Sequence, residues 1–271
     1  MRGNGTQTNP YIPENWEEFV EAVRTEDAYV SVPEKTTYDC NKIAPTGLPM
    51  IEFNCTELNG NNLVILKPFN LRFWIKSNSS KSHTIKNIHV NDFYQSTSGW
   101  AMFSLADDEY SKIDIYDSTF SGVVDQGDSH STTWYLIGEE YGGAYINQSM
   151  TRCSGNIMLT GKMSGIGLGY RNYFCNFNVE LGSTANINSG WYGGISNYIY
   201  DSFIRFTGDP LLENYPTTEY ARRGGISRSI IVWTNNKAMI GGISETRQIN
   251  CTWDELRNVE FLREKGFPIL S

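Results

Sequence analysis

Residues 151–161 read "TRCSGNIMLTG", and residues 173–182 repeat the grammar as "YFCNFNVELG". Each stretch turns a corner at a cysteine, alternates apolar with polar residues and closes on glycine. Residues 199–208, "IYDSFIRFTG", do the same with aspartate at the corner. Alternation with a period of two places the apolar side chains on one face of a strand. Cys153 and Cys175 lie about 22 residues apart, and Cys175 and Asp201 about 26 apart. Upstream, "IHVNDF" and "IYDSTF" place Asn91 and Asp117 at a similar interval. Short strands that return every 20 to 30 or so residues cannot each bury an apolar face alone, so they are expected to stack.

The tetrapeptide "GGIS" supports this reading. It opens residues 193–196, 224–227 and 241–244, with a cousin "GGAY" at 142–145. In "GGISNYIYD", "GGISRSIIV" and "GGISETRQINC" it precedes a strand each time. The pairs Gly193 and Gly194, Gly224 and Gly225, and Gly241 and Gly242 permit a left-handed corner and close backbone approach. The isoleucine faces inward, and the serine can satisfy a backbone group at the bend. No helix start follows the glycines and no Walker lysine completes them, which disfavours a phosphate loop.

Composition agrees. The 271 residues carry 30 acidic and 22 basic side chains, a net charge of −8, which disfavours a nucleic-acid partner. Aromatics reach 13%, including 16 Tyr and 7 Trp, amid much Asn, Ser, Thr and Gly. That mixture suits a β-protein with many turns. The opening "MRGNGTQTNPYIP" has no signal-peptide core, and no window is long and apolar enough for a membrane span. The five cysteines, Cys40, Cys55, Cys153, Cys175 and Cys251, form no CxxC and are expected as buried small hydrophobes. Asn-x-Ser/Thr sequons at Asn4, Asn54, Asn78, Asn147 and Asn250 are what chance delivers in such a chain.

Helical patterning is clear only near the two ends. In "ENWEEFVEAV", Trp16, Phe19, Val20 and Val23 share a face, and Asn15 with Glu18 forms a capping box. In "TWDELRNVEFLREKGFPIL", Thr252 and Glu255 cap a second helix, which Gly266 and Pro268 stop. The expected architecture is therefore all-β: a parallel β-helix over 45–248, with an N-terminal arm and capping helix over 1–44 and a C-terminal capping helix and tail over 249–271. Roughly eight coils would make a rod about 40 Å long. The caps would cover strand edges that otherwise recruit other chains.

Two stretches resemble a known group. "NGTQTNPYIPENWEEFVEAV" resembles the opening of right-handed β-helix proteins encoded by phages and prophages of gut bacteria. The GGIS unit is similar to GLUG-type repeats, and "LREKGFPIL" is similar to the ending of such chains. The resemblance implies a right-handed parallel β-helix and a virion component: a head decoration or fibre protein, or a tail adhesin, often a homotrimer. It also implies a bacterial cytoplasmic origin, with other virion proteins of capsid or tail, and host glycans, as partners.

Phage proteins of this shape can also cut polysaccharide, which needs two carboxyls flanking the scissile bond. "LADDEY" offers Asp107, Asp108 and Glu109; "VVDQGDSH" offers Asp125, Asp128 and His130; "IGEEY" adds Glu139 and Glu140. For an enzyme, Asp107, Asp108, Asp125 and Asp128 are the candidates; as bystanders they form solvated acidic loops. Arg222 and Arg223 are the candidates for a lyase's basic residue, and read otherwise as a surface or subunit contact. His83, His89 and His130 share no ligand spacing, so no metal or other cofactor is expected. Aromatics carry the binding reading. Trp100, Trp134, Tyr135, Trp191 and Tyr192, with Trp233, exceed what a narrow core holds, so some are expected on a flat exposed face for sugar or protein. The sequence thus points to a non-enzymatic structural protein of the virion surface, ahead of a tailspike-like depolymerase, glycosidase or lyase.

Overall fold

Two long strands, Glu57–Leu66 and Ser82–Gln95, organise the chain. The computed structural model describes residues 1–75, 81–96, 101–105, 112–125, 127, 133–139, 148–163, 165–169, 171–182, 186–187, 198–200, 202–208, 226–227, 230–233, 247–250, 260 and 264. On one side Ser82–Gln95 pairs in parallel along Glu57–Leu66, from Glu57 with Thr84 to Leu66 with Asn91. On the other side it meets two strands in succession: Lys112–Tyr116 along its first half and Thr119–Asp125 along its second. Two parallel series grow from that division. One runs through Gln148–Thr151, Arg171–Tyr173, Tyr198–Tyr200 and Ile226–Ser227. The other runs through Ser154–Thr160, Asn176–Leu181, Phe203–Gly208, Ile230–Trp233 and Arg247–Asn250. With Tyr29–Ser31 and Thr37–Asp39, which pair with Glu57–Leu66, they form one sheet of 15 strands. A separate five-stranded parallel sheet joins Ile51–Glu52, Phe73–Ile75, Ala101–Leu105, Thr133–Glu139 and Gly165–Gly167. Lys162–Met163 and Asn186–Ile187 form a third, two-stranded sheet.

The large sheet bends along a line of left-handed residues. Asn61, Asn62, Asn87, Asp117, Arg152 and Phe174 all have φ between 48° and 65°. One such residue breaks the pleat and turns the chain, and Asn and Asp tolerate it best among side-chain-bearing residues. The next layer inside the bend is small and polar. The Ser118 hydroxyl accepts from the Ile88 N–H at 3.2 Å, and the Ser202 hydroxyl from the Cys175 N–H at 2.9 Å. The Cys153 and Cys175 thiols donate to the Ile115 and Met150 carbonyls at 3.6 Å each. The cysteines that marked corners in the sequence thus satisfy backbone groups just past the bend.

The core lies between the faces of the bent sheet and the five-stranded sheet. Phe53, Phe73, Phe103 and Phe120 form a chain of ring contacts with centroids 6.0, 5.3 and 5.8 Å apart. At the N-terminal end the helix Trp16–Arg24 buries Trp16, Phe19, Ala22 and Val23. It covers the start of the five-stranded sheet, where the Val23 carbonyl accepts from the Asn54 and Cys55 N–H groups at 2.8 and 3.1 Å. A short helix, Cys40–Ile43, follows Asp39, whose carboxylate accepts from the Asn41 N–H at 3.2 Å.

The expected right-handed parallel β-helix, closed by a helix at each end, is not the architecture found. Parallel alternating strands are present, but they belong to a 15-stranded sheet that bends through its own strands, beside separate parallel sheets and helices. Pairing starts at Tyr29–Ser31, inside the segment assigned to the arm and cap. The return length is uneven: Thr119 pairs with Ser154, and Ser154 with Asn176, so about 35 residues are followed by about 22. The physical reason is that alternation specifies which face of a strand is buried. It is silent on which strand joins which sheet and on where a strand bends. At the C-terminal end Glu260 and Glu264 are helical and exposed; the rest of that expected cap lies outside the described residues.

Candidate binding surface

Of the aromatic residues expected on an exposed face, Trp134 and Tyr135 are instead buried, at 0% and 3% exposure. Their strand, Thr133–Glu139, sits inside the five-stranded sheet between Ala101–Leu105 and Gly165–Gly167. Residues 134–138 are buried on both faces. Trp134 stacks on Phe93 with centroids 6.1 Å apart, and a Cβ at Gly167 would stand 2.0 Å from the Tyr135 ring. These two rings are core, because a strand covered on both faces hides even its out-of-phase side chains. Trp100, Trp191 and Tyr192 lie outside the described residues, as do Gly193, Gly194, Gly224, Gly225, Gly241 and Gly242. So do Glu109, Glu140, His130, Arg222 and Arg223; Glu139 and Trp233 are described in their backbone alone.

Among the four carboxylates weighed for catalysis, Asp107, Asp108 and Asp128 are outside the described residues and Asp125 is within them. Asp125 ends the strand Thr119–Asp125. Its Oδ2 accepts from the Tyr94 hydroxyl at 2.7 Å, and its Oδ1 from the Gly127 N–H at 3.0 Å. The Tyr94 hydrogen bond, then that of Gly127, hold the carboxyl below the usual aspartate range; burial opposes them and the Thr160 hydroxyl adds least. A carboxyl so held is a fixed acceptor, whereas a glycosidase acid needs its proton affinity raised.

Tyr94 belongs to an exposed pair that sequence reasoning missed. Its ring stacks on Phe69 with centroids 5.6 Å apart and planes 9° from parallel, and each ring is 37% exposed. The backbone sets this up. The Tyr94 N–H donates to the Pro68 carbonyl at 2.9 Å, and the Asn70 N–H to the Tyr94 carbonyl at 2.8 Å. Beside them the Ser96 N–H and hydroxyl both donate to Asn70 Oδ1, at 2.7 and 3.1 Å. Gly47, at φ 121°, lies against Phe69, where a Cβ would come within 2.9 Å of the ring. The result is a ledge running from Gly47 through Phe69 and Tyr94 to Asp125 and Thr160. A signal existed: Phe93 and Tyr94 are neighbours in an alternating strand, so one of them must face outward.

Around the bend the outer surface carries neutral charge pairs. Lys112 reaches Asp114 at 2.8 Å, Lys86 reaches Glu57 at 2.6 Å, and the Arg152 guanidinium grips Asp117 through two bonds of 2.5 and 2.7 Å. The Arg152 hydrogen bonds hold the Asp117 carboxyl below its ordinary range. His83 Nδ1 bonds the Cys55 carbonyl and His89 Nδ1 bonds the Thr119 hydroxyl. No group of three or more His, Cys, Asp or Glu suited to a metal occurs among the described residues. Nor is any helix there long and apolar enough to cross a membrane.

No protein-family model, curated protein or solved structure matches the chain.

Proposed function

We propose that the chain is a non-enzymatic structural protein of a phage particle surface that works by binding. The observation that carries the binding part is the Phe69–Tyr94 ledge, an exposed stacked pair hydrogen-bonded to an ionised carboxylate. A rigid parallel sheet holds that ledge in place with little entropy left to lose on association. The rings stack on each other, so one face of each is already covered and less flat ring surface is left for a sugar. This favours an apolar patch of a neighbouring capsid or tail protein over a host glycan as the partner. The low proton affinity of Asp125 supports an acceptor role there.

The virion assignment rests on the resemblance of the opening and closing stretches to phage-encoded chains. Immunogold labelling of purified particles from the source phage, with antibody raised against the recombinant chain, tests it. Label on the head or tail is expected. A clean absence of label with the protein shown to be expressed would sink the assignment. Phe69→Ala with Tyr94→Ala tests the ledge: the double variant should fold yet be depleted from particles.

A further inference from the structure

The chain contains two Asn-Gly pairs, Asn4–Gly5 and Asn59–Gly60. In such a pair the backbone nitrogen can attack the preceding side-chain amide with little hindrance, because glycine has no Cβ to shield it. The fold treats the two pairs differently. Asn4 is exposed in the N-terminal arm. Its Oδ1 accepts from the Thr6 N–H at 3.3 Å and from the Thr6 hydroxyl at 2.9 Å. The first bond closes an Asx turn, whose ring includes the Gly5 nitrogen and folds the Asn4 carboxamide carbon back towards it. Both bonds also place donors on the oxygen where negative charge develops during attack on that carbon.

Asn59 closes a similar turn with the Asn61 N–H, and takes the Asn87 side-chain amide as well, at 3.2 Å each. It is half-buried in Glu57–Leu66, in register with Ser31 on one side and Lys86 on the other. A Cβ at Gly60 would stand 2.4 Å from the Asn87 carbonyl oxygen, so the backbone has no room to rotate there. At Gly5 the nearest obstacle to a Cβ is the side chain of Tyr11, 2.6 Å away.

We infer that Asn4 is a site of spontaneous deamidation, selected over Asn59 by the fold, and that its conversion loosens the N-terminal arm. The Gly5 nitrogen gives up its proton to solvent base and bonds to Asn4 Cγ. The Cγ–Nδ2 bond then breaks, and the amide nitrogen takes a proton from water and leaves as ammonia. Water opens the resulting succinimide at either carbonyl, giving aspartate or isoaspartate. Isoaspartate runs the main chain through Cβ and Cγ, one methylene longer. The insertion falls between the Asn4 N–H, which donates to the Asn9 carbonyl at 3.1 Å, and the Gly5 carbonyl, which accepts from the Tyr29 N–H at 2.8 Å. Those two bonds cannot both keep their register.

Peptide mapping by mass spectrometry of the native full chain, held at mildly alkaline pH, tests the inference. The Asn4 peptide should gain the mass difference between amide and acid at least about tenfold faster than the Asn59 peptide. In urea the two should convert at like rates. Thr6→Val should slow conversion of Asn4 at least about threefold, through the lost hydroxyl donor, and Thr6→Ser should keep the wild-type rate. In chains carrying isoaspartate, the Tyr29 amide should exchange with solvent faster than in unconverted chains. Like rates for Asn4 and Asn59 in the native protein overturn the inference, as does a preference that persists in urea. An unchanged rate in Thr6→Val overturns the role of the turn, and equal Tyr29 exchange overturns the loosening of the arm.

Discussion

Gly155 shows how closely the strands approach. A Cβ there would stand 1.8 Å from the Phe120 carbonyl oxygen, a backbone atom that cannot step aside. Gly155→Ala is therefore expected to lower stability by about 1–3 kcal/mol, read from urea unfolding. A neutral result would show that the two strands can part. His83 makes the second residue-scale prediction. It is 3% exposed, and burial pulls its proton affinity below the ordinary value; the bond to the Cys55 carbonyl opposes this, Lys81 adds to it and Asp27 slightly opposes it. The unfolded chain takes up a proton near pH 6.5 and the folded chain does so only lower. Stability is thus whole above about pH 6.5 and falls as the pH drops below it. His89 shifts the same way, again through burial. His83→Gln should flatten the decline in melting temperature between about pH 7 and pH 5, since a Gln at this depth can bond a carbonyl as Gln95 bonds that of Leu71. An unchanged slope would place the pH dependence elsewhere.

At the scale of elements, the position and buried face of the first helix were legible. Apolar spacing and Asn15 predict it, and the Asn15 side chain accepts from the Glu18 N–H at 2.9 Å. Glu18 departs from the expected box by accepting from the Glu14 N–H instead of that of Asn15. Asn15→Ala should cost about 1 kcal/mol, measurable as a shifted denaturation midpoint. The four-residue helix Cys40–Ile43 was not legible, because four residues are too few for periodicity to speak. The strand Gln148–Thr151 carries a buried amide with no hydrogen-bond partner among the described residues for either its oxygen or its nitrogen. Gln148 pairs in register with Ile113, which in turn pairs with His83, so it continues a column in the core. Gln148→Leu should raise stability by about 1–2 kcal/mol, because an unpaired amide keeps its full desolvation cost. A clear loss of stability would mean that the amide has a partner.

Over the whole molecule, the cysteines tie sequence to fold. Cys40, Cys55, Cys153 and Cys175 are buried and free. Burial pushes the Cys40 thiol up to about 11 and that of Cys153 to about 12, and raises Cys55 and Cys175 as well. None of these four should react with iodoacetamide in the native protein, and all should react after denaturation, as mass spectrometry would show. Labelling of any of them in the native state would contradict the packing. The sequence alone determined that the chain is β-rich, that its short alternating strands pair in parallel, that a helix sits at residues 16–24 and that these cysteines are buried. Those features are written in local periodicity and side-chain chemistry. Only the tertiary structure decided that one sheet of 15 strands bends through its own strands, that Trp134 and Tyr135 are core, and that Phe69, Tyr94 and Phe174 reach the surface. Each of these depends on which distant strand lies alongside, and on a few left-handed residues whose conformation only the assembled sheet can hold.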